Sequence, residues 1–166
     1  MKTGIIIAGG KSSRMGEDKA LINSNVERLA SELRKSGCDR IIIMCGDETR
    51  ATLFDEECIP DSTDCLALSI VELVSNIEGT IQLAPCDAYL ADAELFSRIE
   101  GVPVDDSGDR QPLLAGFDSD YSLRISEKIS NVFEGLPSCE GGIKARNINT
   151  KEQIKEIEYL LKPSDR

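Results

Sequence analysis

Apolar residues in this chain come in short uniform runs separated by segments of helical period. Residues 3–8 (TGIIIA) and 40–45 (RIIIMC) are β-branched and almost wholly apolar, the signature of strands covered on both faces of a parallel sheet. Between them, Ser24 followed by Glu27 suggests a capping box, predicting a helix from there to a stop at Gly37. DETRATLF after the second run predicts a short helix, and a brief strand is expected to end near Ile59. Leu66, Ile70, Val71, Leu73, Val74 and Ile77 then fall at helical spacing. TIQLAPCD predicts a strand running into a turn, with Asp87 at its C-terminal end, and AELFSRI predicts another helix.

The second half of the chain changes character. VPVDD and QPLLAGF, separated by a segment containing Ser107-Gly108-Asp109, predict a β-hairpin. Tyr121, Leu123, Ile125, Ile129, Val132 and Phe133 suggest a helix. A break at Gly141-Gly142, a short strand and a final helix opened by NTKEQ complete the pattern. Strands alternating with helices imply an α/β fold: a mostly parallel central sheet with helices on both faces. With 166 residues and no linker or repeat, a single domain spanning 1–166 is expected. Ligands of such sheets sit beyond the strand C-terminal ends.

Composition narrows the chemistry. The net charge of −11 opposes binding to nucleic-acid backbones or anionic membranes, and with 4% aromatic residues and no Trp, base-stacking platforms are hard to build. No apolar run is long enough to span a bilayer and MKTGIIIAGG lacks a signal-peptide pattern, so a cytoplasmic location is expected. The six cysteines contain no C-x-x-C pair and several lie in apolar stretches, which suits reduced, structural thiols. There is no His, which removes Ser-His-Asp and Cys-His catalysis together with the commonest zinc ligand.

One segment runs against the acidic background. The first 22 residues carry Lys2, Lys11, Arg14 and Lys19 against Glu17 and Asp18, a net +2, leaving −13 for the other 144. A cationic loop with Gly9-Gly10 just past a buried strand suits a polyphosphate, because backbone N–H groups can approach it and fixed charge can hold it. It is not a Walker A loop, since the spacing demands Gly where Ile5 stands, and no G-x-G-x-x-G fingerprint is present.

IAGGKSSRMGEDKAL resembles the A-G-G-x-S-x-R-M-G-x-D-K signature of sugar-phosphate-type nucleotidyltransferases, and among them the chain is most similar to the molybdenum cofactor guanylyltransferases. IPDS at 59–62, APCDAYL at 84–90, RQPLLAGF at 110–117 and RNINTKEQI at 146–154 extend the likeness in the family's order. The resemblance implies a Rossmann-like, three-layer α/β/α nucleotidyltransferase fold. It further implies Mg2+-dependent transfer of GMP from GTP to molybdopterin with release of pyrophosphate. Carried over by position, Ile7, Ala8, Gly9 and Gly10 border the nucleotide, Lys19 reaches its phosphates, Asp61 binds nucleotide, and Asp87 holds the metal with Asn149 nearby. Arg14 is expected at the pyrophosphate, although it also suits a surface pair with Glu17 or Asp18. Asp87 and Asp61 equally suit turn or helix-capping roles, and Asn149 a turn.

The chemistry is compatible with these residue types. Lys and Arg stabilise charge on the α-phosphate and the departing pyrophosphate, and Mg2+ is commonly held by one or two carboxylates plus substrate phosphates. A phosphomonoester acceptor is already largely ionised at neutral pH and needs no general base, which accommodates the absence of His. The chain has neither the G-K-P-L stretch nor the G-P-L-x-G segment with which the family helps hold guanine, and STDCLALSI stands in the latter's place. The alternatives are therefore a guanylyltransferase for another phosphorylated acceptor, such as adenosylcobinamide phosphate, and a nucleotide-binding module without turnover.

Overall fold

The computed structural model describes residues 1–8, 19–46 and 56–146, with the helix backbone alone at 19–23. Four parallel strands, β1 (Lys2–Ile7), β2 (Arg40–Gly46), β3 (Glu57–Pro60) and β4 (Thr80–Pro85), form a sheet in the order β3-β2-β1-β4. The apolar runs are uniform because both faces are covered. Ile6, Ile41, Ile43 and Ala84 pack against helix α1 (Lys19–Lys35) and helix α3 (Ala93–Arg98). Ile5, Ile7, Ile42, Met44, Ile81 and Leu83 pack on the other face against helix α2 (Leu66–Val74) and the short helix α4 (Ile129–Val132). The result is the three-layer α/β/α arrangement expected.

Helix α1 buries Val26, Leu29, Ala30 and Leu33, a stripe at i, i+3, i+4 and i+7. It starts at Lys19, ahead of the expected capping box, so Ser24 is an exposed residue inside the helix. Lys19, Ala20 and Leu21 are strong helix formers and carry the helix backwards. Its end is as expected: Gly37 has φ 109°, its N–H donates to Arg34 O (3.0 Å) and that of Cys38 to Leu33 O (3.0 Å). This is a Schellman stop, which requires a left-handed residue at the glycine position.

The hairpin expected from VPVDD and QPLLAGF forms only at its tip. Strand β5 (Val102–Asp105) turns back through Asp105–Asp109, with the Asp105 N–H donating to Asp109 O (2.9 Å) and the Gln111 N–H to Pro103 O (2.8 Å). The returning arm then enters a 3-10 turn at Pro112–Leu114, and strand β6 (Gly116–Asp118) joins the main sheet antiparallel to β4. Pro112 cannot donate to a ladder, while Leu114, Ala115 and Phe117 become buried beside β4. β5 instead pairs in parallel with strand β7 (Ser138–Gly142), making a separate two-stranded sheet. The glycines Gly141 and Gly142 thus lie within a strand rather than before one.

The helix expected across 121–133 is also mostly absent, being confined to α4. Short polar side chains capture the backbone locally: Asp118 Oδ1 accepts from the Asp120 N–H (2.9 Å) and Ser126 Oγ from the Lys128 N–H (3.1 Å). Such bonds compete with helix formation, and Ile125 is left 82% exposed. None of the six cysteines is in a disulfide, and Cys38, Cys45 and Cys86 are buried. Among the described residues no helix is long and apolar enough to cross a membrane. The helices expected from DETRATLF and NTKEQ lie outside the described residues.

Candidate functional site

The sheet order places a topological switch beside β1: β2 and β3 lie to one side of it and β4 to the other. In open α/β sheets such a point leaves a crevice beyond the carboxyl ends of the two diverging strands. Ile7 is in register with Pro85 across that junction. Main-chain bonds continue past both strand ends, with the Cys86 N–H donating to Ile7 O (3.0 Å) and the Ala8 N–H to Met44 O (2.9 Å). Ala8, the last residue before the glycine-bearing segment of the sequence, therefore stands at the same sheet end as the turn carrying Asp87. Ile7 and Ala8 are buried, at 4% and 2% exposure.

Asp87 sits in a tight turn, in which the Ala88 N–H donates to Pro85 O (3.0 Å) and the Tyr89 N–H to Asp87 O (2.9 Å). It is half-buried. Burial pushes its carboxyl above the ordinary carboxylate range, partly offset by a hydrogen bond from its own backbone N–H, and no cation contributes among the described residues. A desolvated carboxylate without a cationic partner at a strand end is a fitting hard-oxygen donor for a divalent ion. Among the described residues there is no cluster of three or more His, Cys, Asp or Glu that could form a metal cage. A metal here would draw its further ligands from outside this set, such as substrate phosphate oxygens.

Asp61 lies elsewhere, after β3. Its Oδ1 accepts from the Gly46 N–H (3.0 Å) and its own N–H donates to Gly46 O (2.9 Å), tying the ends of β2 and β3 together. The structural role open to this residue in the sequence is thus realised on Gly46, as a strand-end tie rather than a helix cap. Lys19 begins α1, at the end of the cationic segment that follows Ala8 in the sequence. Gly9, Gly10, Arg14 and Asn149 lie outside the described residues.

The pattern of the MobA-like NTP transferase domain family matches residues 4–121, a span that runs from β1 through the Asp87 turn and beyond β6. The chain belongs to this family. A molybdenum cofactor guanylyltransferase of Xanthomonas euvesicatoria pv. vesicatoria (strain 85-10) is 30% identical to the MobA-like chain over 101 residues, covering 58% of this chain and 52% of the relative. The chain thus spans about half the length of that curated relative. Among solved structures, a protein of Aquifex aeolicus VF5 superposes with a TM-score of 0.65 at 20% identity, covering 90% of this chain and 94% of that one. The 4-diphosphocytidyl-2C-methyl-D-erythritol synthase of Anaerococcus prevotii DSM 20548 superposes with a TM-score of 0.62 at 15% identity, covering 98% and 99%. These two likenesses show the Rossmann-like, three-layer α/β fold.

Two residues not foreseen from the sequence stand out around the Asp87 turn of the MobA-like domain: Asn25 and Arg28, on the α1 face turned to residues 86–91. Their spacing of three places them on one helix face, but nothing in a helical Asn-x-x-Arg announces partners some sixty residues away.

Proposed function

We propose that this domain is a metal-dependent nucleotidyltransferase that moves a nucleoside monophosphate from a nucleoside triphosphate to a phosphorylated acceptor. GTP is the favoured donor and molybdopterin the favoured acceptor. The observation that carries the reading is the placement of Asp87 beside the end of β1 at the switch point of a MobA-like sheet, which the glycine-bearing, cationic sequence following Ala8 supports. GTP and molybdopterin are supported by the name of the Xanthomonas relative and by the sequence signature.

In this reading Ile7, Ala8, Gly9 and Gly10 border the nucleotide, and Arg14 and Lys19 carry the charge of the triphosphate. Asp87, with Asn149, holds Mg2+. When bound, that ion supplies charge neutralisation on the phosphate oxygens. Asp61 keeps the β2–β3 end, which would flank the base, in place through Gly46. An acceptor phosphate oxygen attacks the α-phosphorus, forming the new P–O bond, and the bond to the β-phosphate's bridging oxygen breaks so that pyrophosphate leaves with the electron pair. The attacking oxygen is already ionised near neutral pH, because the second pKa of a phosphomonoester is about 6. The chain's residues are therefore needed to align and neutralise rather than to remove a proton.

The test is thermal unfolding with GTP, ATP, CTP and UTP, with and without MgCl2, followed by pyrophosphate release on adding molybdopterin or adenosylcobinamide phosphate. A GTP-selective, Mg2+-dependent rise in midpoint and molybdopterin-dependent pyrophosphate release are expected. Release only with adenosylcobinamide phosphate would replace the acceptor. Binding without turnover on either acceptor would overturn the transferase reading in favour of a nucleotide-binding module.

A further inference from the structure

We propose that Asn25 and Arg28 are positioning residues that hold Asp87 in its metal-binding place, an inference that rests on the reading of Asp87 given above. The Asn25 side-chain amide, 5% exposed, donates to Cys86 O (2.8 Å). Its Oδ1 accepts from Arg28 Nε (2.8 Å). The Arg28 guanidinium then forks, with Nη2 donating to Ala88 O (2.9 Å) and Nη1 to Ala91 O (2.7 Å). The carbonyls immediately before and after Asp87 are thus gripped by one hydrogen-bonded pair on one turn of α1.

The segment needs such a grip. Between the end of β4 and the start of α3, residues 86–92 belong to no helix or strand. A planar guanidinium with donors in a fixed fork sets two carbonyls relative to each other, which a single flexible donor cannot do. Further down α1, Glu32 Oε1 accepts from the Ala93 N–H (3.0 Å), so the same helix braces the segment through to α3. Helix α1 also begins at Lys19, so one helix joins the end of the cationic segment in the sequence to the backbone of Asp87.

Arg28 is committed to neutral carbonyls, with Glu32 and Asp92 as nearby counter-charges. Burying a charge in this way is an expensive means of holding a surface loop. A structure needing only stability is better served by apolar packing at this position.

The test uses the full chain with GTP and MgCl2 as probes. Calorimetric GTP titrations over a series of Mg2+ concentrations yield the metal half-saturation point and the metal-free GTP affinity for the wild type, Asn25→Ala, Arg28→Lys and Arg98→Ala. Arg98 is the control, because it grips Glu140 O (2.7 Å) and Gly141 O (3.3 Å) by a similar fork and does not touch residues 86–91.

Asn25→Ala and Arg28→Lys should raise the Mg2+ half-saturation concentration by about 10-fold or more, the usual effect of losing an outer support of a metal ligand. Metal-free GTP affinity should stay within about twofold, since the donors lost do not touch nucleotide. Arg98→Ala should lower the unfolding midpoint without moving the metal dependence. Arg28→Lys keeps the charge and one donor, so it carries the comparison if Asn25→Ala fails to fold. Variants with wild-type metal dependence, or an equal change in Arg98→Ala, overturn the positioning role alone. A wild type whose GTP binding ignores Mg2+ overturns the function reading and this inference with it.

Discussion

Replacing Asp87 by Asn keeps the side chain's size and removes its charge, and the consequences for stability and for ligand binding should have opposite signs. Burial holds the Asp87 carboxyl above the usual carboxylate range, and no cation among the described residues opposes this. A carboxyl whose folded-state pKa lies above its unfolded value (about 3.9) destabilises the fold as pH rises. The cost begins near the unfolded value and is complete above the folded one. At neutral pH without metal, Asp87→Asn should therefore be more stable than wild type by about 0.5–2 kcal/mol, the gain typical of relieving a functional-site compromise. With an unfolding entropy of about 2.1 cal/mol/K per residue, the chain loses or gains about 3 °C per kcal/mol, so the midpoint should rise by about 1.5–6 °C.

Two further measurements give this prediction its force. Near pH 3.5 the difference should shrink towards zero, because the wild-type carboxyl is then protonated in both states. With Mg2+ and GTP at about 100 times the dissociation constant, wild type should gain about 2.7 kcal/mol and overtake the variant, which should not respond. The assay is differential scanning fluorimetry in EDTA and in MgCl2 with GTP, at both pH values. An Asn variant that is less stable in EDTA at neutral pH would show that the carboxylate is a structural acceptor. An unchanged Mg2+-GTP shift would take Asp87 out of the metal site.

Thr3 Oγ1 is fully buried without a hydrogen-bond partner among the described residues, so Thr3→Val should add about 1 kcal/mol, read as a higher urea midpoint; a loss would mean that the hydroxyl has a partner. Asp105 accepts from the Ser107 N–H (2.8 Å), the Asp109 N–H (3.0 Å) and Gln111 Nε2 (2.8 Å). Burial opposes its charge, but these donors together hold its carboxyl below the usual range. Asp105→Asn should cost about 1.5–3 kcal/mol at neutral pH. That cost should narrow as pH falls below about 3.9 and through the folded-state value, where wild type loses the same stabilisation, and denaturant melts across pH would show it. Gly101 has φ 106° and a Cβ there would lie 2.1 Å from Pro137 O, so Gly101→Ala should cost about 3 kcal/mol or more. A urea midpoint within about 0.5 kcal/mol of wild type would contradict the packing of β5 against the 137 segment.

The parallel half of the fold was legible because its signals are local. Uniform apolar runs at 3–8 and 40–45 read as strands buried on both faces, and TIQLAPCD as a strand running into a turn. The glycine at 37 likewise marks the end of α1 within a few residues of chain. Asp87 was equally visible, since a carboxylate just past an apolar strand stands at the sheet's C-terminal edge whichever neighbours that strand takes. The β1–β4 junction that makes this edge a crevice depended on strand order, which no local pattern encodes.

What tertiary structure alone decided were the outcomes in which a segment had comparable local choices. Val102–Asp105 and Gly116–Asp118 are too short to declare partners, and the burial of Leu114, Ala115 and Phe117 beside β4 outweighed the completion of a hairpin across Pro112. Residues 118–128 carry a helical spacing of apolar residues but also Asp and Ser side chains that satisfy the backbone locally, and long-range packing did not recover the helix. Asn25 and Arg28 look like ordinary surface helix positions in the sequence. Their role arises because the fold brings the carbonyls of residues 86, 88 and 91 against that one turn, and the need to satisfy buried backbone acceptors makes the contact specific.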